Sequence, residues 1–354
     1  MKIEFLNQLN QLCADEIEKI IELLTKKIDV KVKSNTSNHE IISRERENKI
    51  YCKVCGSMHI HKNGKTKVGR QKYICYDCHK CFSDTTNSIL YYSKSPYDIW
   101  KRFIYCEIRQ MTLLDTANEL NISKTCAFNW RHKFHKALEL YTNDINLSGE
   151  IQLDATYTSI NLKGTKPENM PRYSKKRPSS AYRGLSHHKV CIMSGCDDHD
   201  NIAFKITGLG KETTEYYEIF GSKIVNPTLL ITDQSWGFIS FSKSINCELD
   251  QIPTTAYKSP NGHTLAELNQ IHSELKIYMK KYHGVSIRHL QGYLNKFVFL
   301  KMLKYKVDYH ERVLKSYLLT IPAFTTLSNS EISKLTLPID LKVAYAEYNY
   351  GIFA

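Results

Sequence analysis

The stretch Leu268-Asn269-Gln270-Ile271-His272-Ser273-Glu274-Leu275-Lys276 most constrains the fold, because two apolar segments upstream each deliver an aspartate with no partner of its own. At about 100° of helix per residue, Asn269, His272 and Lys276 share one narrow polar stripe, beside an apolar stripe of Leu268, Ile271, Leu275 and Met279. Such a helix packs on a sheet and leaves its polar stripe at the edge of a cleft. Asp154 lies in the strand-like run Glu150-Ile151-Gln152-Leu153-Asp154-Ala155-Thr156-Tyr157, and Asp233 ends the buried strand Leu229-Leu230-Ile231-Thr232, which Pro227 opens. Two carboxylates and an amide oxygen suit hard divalent cations such as magnesium. Two such ions held close together stabilise the attacking and leaving oxygens of a phosphoryl transfer.

The chain has 354 residues, enough for two or three domains, and 42% are hydrophobic, enough for a real core. Its net charge of +13 and pI near 9.1 point to a polyanionic partner, since Lys and Arg release condensed counterions when they neutralise phosphates. Eleven cysteines, four of them in two C-x-x-C pairs, favour metal ligation in a reducing cytosol over a disulfide framework. The early Glu4 and the lack of an apolar core segment argue against a secretory leader. No apolar run approaches the roughly 20 residues of a spanning helix, so a membrane is not expected as a partner.

Cys52-Lys53-Val54-Cys55 and Cys75-Tyr76-Asp77-Cys78 bracket a basic, hairpin-like segment that carries Lys65, Lys67 and Arg70. Nineteen residues separate the two knuckles, which fits a four-thiolate zinc ribbon. In so small a segment the metal supplies folding free energy that the core cannot. Cys81 is a possible substitute ligand, and His59 and His61 read as surface residues.

Residues 1 to about 28 read as an amphipathic helix, and 29–48 as a polar linker. After the ribbon, Trp100, Phe103, Ile104 and Ile108 suggest a helix over 97–110. Leu113–Leu120, a break at Asn121-Ile122, and a helix capped by Ser123 and running through Trp130 to Leu138 have the layout of a helix-turn-helix. Lys124, Asn129, Arg131 and Lys133 are expected on its outer face, toward a major groove and its phosphates, with Ala127 and Trp130 inward. An ordinary helical hairpin has the same pattern. The Pro-rich segment from Lys163 to Ser186, with Lys175, Lys176 and Arg177, reads as a basic loop that orders on DNA or as a solvated loop. Lys189–Met193 and Ile202–Ile206 read as a hairpin around Asp197-Asp198-His199-Asp200-Asn201, whose acidic residues fit turn chemistry better than a metal site. Residues 211–222 read as a helix.

With the knuckles, the helix-turn-helix pattern, Asp154, Asp233 and the Asn269 helix in this order, the chain resembles bacterial insertion-sequence transposases of the ISXO-like type from about Tyr51 to Leu300. The run Tyr282-His283-Gly284-Val285-Ser286, followed by His289-Leu290-Gln291 and Tyr293-Leu294, resembles the family's segment after the triad. The resemblance implies an α/β ribonuclease H-like catalytic domain with a D-D-E or D-D-N triad, here Asp154, Asp233 and Asn269, and a lysine seven positions on, here Lys276. Asn269 departs from the more usual glutamate: an amide oxygen ligates magnesium but brings no charge. Lys276 is then a point charge for a scissile or flanking phosphate, and otherwise an exposed helix lysine. His272 and Ser273 either support the site or make structural hydrogen bonds.

The expectation is a multidomain chain: a helical segment and linker over 1–48, a zinc ribbon over 49–92, a helix-turn-helix domain over 93–147, a catalytic domain over 148–304 and a C-terminal extension over 305–354. Zinc is expected on the four cysteines, and magnesium or manganese on Asp154, Asp233 and Asn269. The expected function is binding of terminal inverted repeats in double-stranded DNA, metal-dependent strand cleavage and strand transfer to target DNA. The expected assembly is a homodimer or larger, in the bacterial cytoplasm at the nucleoid. The alternative is a non-catalytic zinc-ribbon DNA-binding regulator derived from such an enzyme.

Overall fold

The computed structural model describes residues 51–304, except 53, 68, 70, 84, 87, 92, 144 and 165–186, together with 328–341 and 344. The helix expected over 1–28, Arg70, the loop residues Lys175, Lys176 and Arg177, and most of the C-terminal extension lie outside the described residues. The chain divides into two compact units, Met1–Thr86 and Asn87–Ala354.

In the first unit three short strands form an antiparallel sheet: β1 (Ile60–Lys65), β2 (Gln71–Cys75) and β3 (Cys81–Ser83). Among the described residues its buried apolar cluster is Cys52, Tyr73, Cys75 and Phe82, with Ile60 and Cys78 packed against it and the Tyr73 and Phe82 rings stacked 5.4 Å apart. The apolar area that the described residues bury here is small beside the chain entropy of ordering three short strands, which is where a bound metal would add stability.

The second unit is built on a five-stranded mixed sheet: β4 (Leu147–Ser159), β5 (Lys189–Asp197), β6 (Ile202–Leu209), β7 (Ile224–Asp233) and β8 (Glu248–Ile252). Their order across the sheet is β6-β5-β4-β7-β8. β4, β5 and β6 pair antiparallel, whereas β7 and β8 add parallel to β4. The sheet is thus an antiparallel three-stranded meander extended on one side by two parallel strands. β4 shows why the sheet has two unlike faces. Leu147, Ile151 and Leu153 point to a core with Tyr217, Phe220, Phe238 and Phe241, while the alternate residues Gln152 and Asp154 point the other way. Pro227 does not open β7 but sits inside it, opposite Gly149 at an irregularity of the ladder, where a missing N–H is tolerated. Gly149 has φ +69°, and a β-carbon there would lie 2.7 Å from the Asp198 carboxylate.

Helices α1 (Tyr97–Ile108), α2 (Leu113–Leu120) and α3 (Lys124–Asn143) precede the sheet. Asn121 turns left-handed after α2, and Ser123 Oγ accepts from Cys126 N at the start of α3. Helices α4 (Thr214–Gly221) and α5 (Trp236–Ser244) cover the apolar face of the sheet, and α6 (Ala266–Lys280) lies by the other. α7 (Ile287–Lys304) packs along α3, and a short α8 (Asn329–Ser333) follows. Among the described residues, no helix is long and apolar enough to cross a membrane.

The helices expected to form a separate DNA-binding domain share a buried ionic centre with α7. Glu107 of α1 accepts from Arg131 Nε at 2.8 Å and from Lys296 Nζ, and all three side chains are at most 1% exposed. The expectation of Arg131 on a DNA-facing surface is therefore corrected: its guanidinium is spent inside the protein, with a second bond to the Met111 carbonyl. Burial alone would raise the Glu107 carboxyl, but Lys296 and Arg131 hold it below the usual range.

Beside this centre lie three histidines, His132 and His135 of α3 and His289 of α7, with the His132 and His289 rings stacked 3.9 Å apart. Burial, with Arg131, Lys296, Arg288 and the neighbouring imidazoles adding repulsion, lowers His132 to about 3, His289 to about 4, and His135 well below its ordinary value. Folded pKa values below the unfolded one mean that the unfolded chain takes up protons first as the pH drops. The associated stability is complete above the unfolded value near 6.5 and is lost as pH falls toward 4. Thermal unfolding at about pH 5 is therefore expected several degrees below that at about pH 7.5. An unchanged midpoint would show that these rings are not buried neutral.

Candidate active site

The strand register brings the two expected aspartates together. Gln152 pairs with Ile231 across the parallel ladder. Two residues further on, Asp154 and Asp233 leave neighbouring strands on the same face, with strands about 5 Å apart. The end of β7 is held by Gln251 Nε2, which donates to the Asp233 and Ser235 carbonyls at 2.9 and 3.0 Å.

α6 lies on this face. Leu268, Ile271, Leu275 and Tyr278 bury its apolar side, so the fourth buried position is Tyr278 rather than the expected Met279. Leu268 N donates to Gln152 Oε1 at 3.2 Å, which fixes the helix start beside β4. Asp250 of β8 accepts from Ser259 and His263 and so pins the loop that leads into α6. Asp154, Asn269, His272, Ser273 and Lys276 then line one open cleft of about 430 Å³. Asn269 and Lys276 are exposed, while His272 is buried.

Two of the carboxyls at this end of the sheet, Asp154 and Asp233, are shifted upward. Burial pushes the Asp154 carboxyl up to about 7; a hydrogen bond from Ala155 N opposes this, and the charges of Asp233 and Glu212 add to it. Asp233 is raised by burial and by Glu212. Lys276 draws Asp154 back only in part. Oxygen donors left repelling one another are the chemistry of a divalent-cation site, and the residues present fit one.

Glu212 has no place in the sequence-based site. It precedes α4, accepts from the Tyr157 hydroxyl, and places Oε1 3.5 Å from Ser235 Oγ, two residues beyond Asp233. An acidic residue at the entrance to a helix is ordinary, so local sequence gives no signal for it.

The four knuckle thiols converge in the first unit. Cys52 and Cys78 Sγ are 3.5 Å apart, Cys55 and Cys75 Sγ 3.6 Å, and all four lie within 4.8 Å of one another. A tetrahedron with zinc–sulfur bonds of about 2.3 Å has edges near 3.8 Å, so these thiols fit one zinc ion. Cys81 is exposed and stands outside the cluster, and His59 is exposed as expected. Lys65 and Lys67 are exposed on the hairpin.

Asp197, Asp198 and His199 also offer three ligand atoms within 4.8 Å of one another. Asp197, however, already accepts from Ser148 N, His199 N, Asn201 N and Asn201 Nδ2 at 2.8–3.0 Å, which is turn chemistry. On α3, Ala127 and Trp130 are buried as expected, Lys124 is exposed, and Asn129 and Lys133 are half-buried.

Residues 146–301 match the model of the ISXO2-like transposase domain. Over 126 residues, 35% of this chain, it is 26% identical to an uncharacterized protein in transposable element ISH50 of Halobacterium salinarum. The chain spans only 42% of that relative's length. Among solved structures, the HTLV-2 integrase catalytic core domain in complex with magnesium aligns at 14% identity and TM-score 0.28, over 48% of this chain and 96% of that one. A pre-cleavage Mos1 transpososome aligns at 11% identity and TM-score 0.21, over 65% and 82%. Residues 146–301, somewhat under half of the chain, are thus similar to the ISXO2-like transposase domain, the family that its motifs resemble.

Proposed function

We propose that this protein is a metal-dependent DNA transposase that binds the terminal inverted repeats of an insertion sequence, cleaves a strand at the element end and joins it to target DNA. The observation that supports this reading best is that Asp154 and Asp233 lie near the ends of adjacent parallel strands, with Asp154 lining one cleft together with Asn269 and Lys276, although Asp233 is not among the residues that line it. Asp154, Asp233 and the Asn269 amide oxygen would hold two magnesium or manganese ions, which when bound activate the attacking oxygen and stabilise the leaving one. Lys276, exposed at the rim of the same cleft, holds a scissile or flanking phosphate as a point charge. Glu212 adds negative charge that Asn269 does not bring.

DNA is held by further basic residues of the chain. In the ribbon these are Lys65 and Lys67, together with Arg70, and on α3 they are Lys124, Asn129 and Lys133, with α2 and α3 read as a helix-turn-helix. Lys175, Lys176 and Arg177 belong to the same DNA-binding proposal. Holding two element ends at once calls for a homodimer or larger assembly. Incubation with magnesium, repeat-ended duplex and a plasmid target is expected to give nicked and joined products. Binding without any cut would leave the non-catalytic regulator as the better reading.

Zinc on the four thiols is a separate proposal with its own measurement. Metal analysis of the purified chain is expected to find about one zinc per protomer, and Cys75→Ser to find none. A zinc-free wild-type protein that still binds repeat DNA would end the ribbon assignment.

A further inference from the structure

Hydrogen-bond donors and acceptors fix the protonation of the histidine beside Asp154. The Ser194 hydroxyl has one proton, and its Oγ lies 2.7 Å from the main-chain carbonyl oxygen of Asp154, a group that can only accept. The same Oγ lies 2.6 Å from Nε2 of His272. With the serine proton given to the carbonyl, Nε2 must carry a hydrogen and donate it to Oγ. In a neutral imidazole, Nδ1 is then a bare lone pair.

That lone pair faces a carboxylate. Nδ1 stands 3.7 Å from Asp154 Oδ2, and two acceptors at that separation neither form an ion pair nor share a hydrogen bond. The ring is 6% exposed, yet it lines the cleft with Asn269 and Lys276. Two coordination bonds of about 2.2 Å reach as far as about 4.4 Å, so one cation can touch both atoms.

We propose that His272, through Nδ1, is a nitrogen ligand of the cation held by Asp154, with Ser194 fixing the ring. This rests on the cation site argued under Proposed function, and it sharpens that reading in one respect. Magnesium prefers oxygen ligands, whereas imidazole suits first-row transition ions, so the site favours manganese over magnesium. It also supplies a donor where the amide of Asn269 brings no charge.

The test uses the full, zinc-loaded chain with Mn²⁺ alone, read by pulsed electron paramagnetic resonance. A ¹⁴N modulation from a directly bound imidazole is expected in the wild-type spectrum and is lost in His272→Gln. Ser194→Ala is expected to weaken Mn²⁺ binding about 10- to 100-fold, as loss of a ligand's supporting hydrogen bond does. Magnesium should displace the ion only at an excess of about tenfold or more. Bound Mn²⁺ that disappears in Asp154→Asn but shows no ¹⁴N coupling in the wild type overturns ligation by His272 and leaves the cation site standing. Mn²⁺ binding that is absent, or indifferent to Asp154→Asn, overturns both. The wild-type spectrum needs no substitution at a buried position, so misfolding of a variant does not blur the outcome.

Discussion

Asp154→Asn and Asp233→Asn proteins are expected to bind repeat-ended DNA like the wild type but to cleave and join it at least about 10³-fold more slowly, the loss of some 4 kcal/mol of transition-state stabilisation. Each carboxylate is one of two raised, mutually repelling donors on the central strands. Neutralising either removes one of the charged oxygen donors, which the neutral amide of Asn269 does not replace and which Glu212, engaged with Tyr157 and Ser235, replaces only in part. Asn preserves shape and much of the hydrogen bonding, so unfolding temperatures should move little. Undiminished joining by either variant would show that the chemistry lies elsewhere.

The largest expected effect on stability is in a different place. Glu107→Ala is expected to destabilise the second unit by about 3–5 kcal/mol, because it leaves Arg131 and Lys296 charged, buried and without their carboxylate. For a unit of this size that corresponds to a fall in the unfolding midpoint of roughly 10 °C. Replacing all three together by Leu, Met and Met is expected to recover most of the loss, since the cost arises from the unpaired charges and not from the missing pair itself. A single Glu107→Ala change that left the midpoint in place would mean that water reaches this centre. Because the three residues come from α1, α3 and α7, the same measurement reports whether the helices before the sheet are locked to the helix that follows α6.

Periodicity made most of this architecture legible. The alternation in Ile151–Tyr157 and the apolar run ending at Asp233 are strong strand signals, and the spacing of Leu268, Ile271 and Leu275 set the frame of α6. The order of the motifs then selected Asp154, Asp233, Asn269 and Lys276. Frame drift explains the one misplaced core position on α6: Tyr278 and Met279 are neighbours, and a stripe read at four-residue spacing chooses the wrong one.

Arg131 was misread for a physical reason that no local window could reveal. Its neighbours Lys124 and Lys133 are basic and at least partly exposed, so a basic outer face of α3 was the natural inference. Its carboxylate partner is 24 residues upstream, and Lys296, which shares that partner, is 189 residues from Glu107. Glu212 was missed similarly: its contacts run to Tyr157, 55 residues away, and to Ser235. Pairings over such distances are made by the sheet, and they become visible only when the strands are in register.

Whether Asp154 and Asp233 share divalent cations at the cleft below Asn269 is tested most directly by anomalous scattering from crystals of the protein with Mn²⁺ and a repeat-ended duplex. Manganese peaks within bonding distance of both carboxylates are expected. Manganese found at the Asp197–His199 turn instead, with none touching Asp154 or Asp233, would contradict a shared cation site.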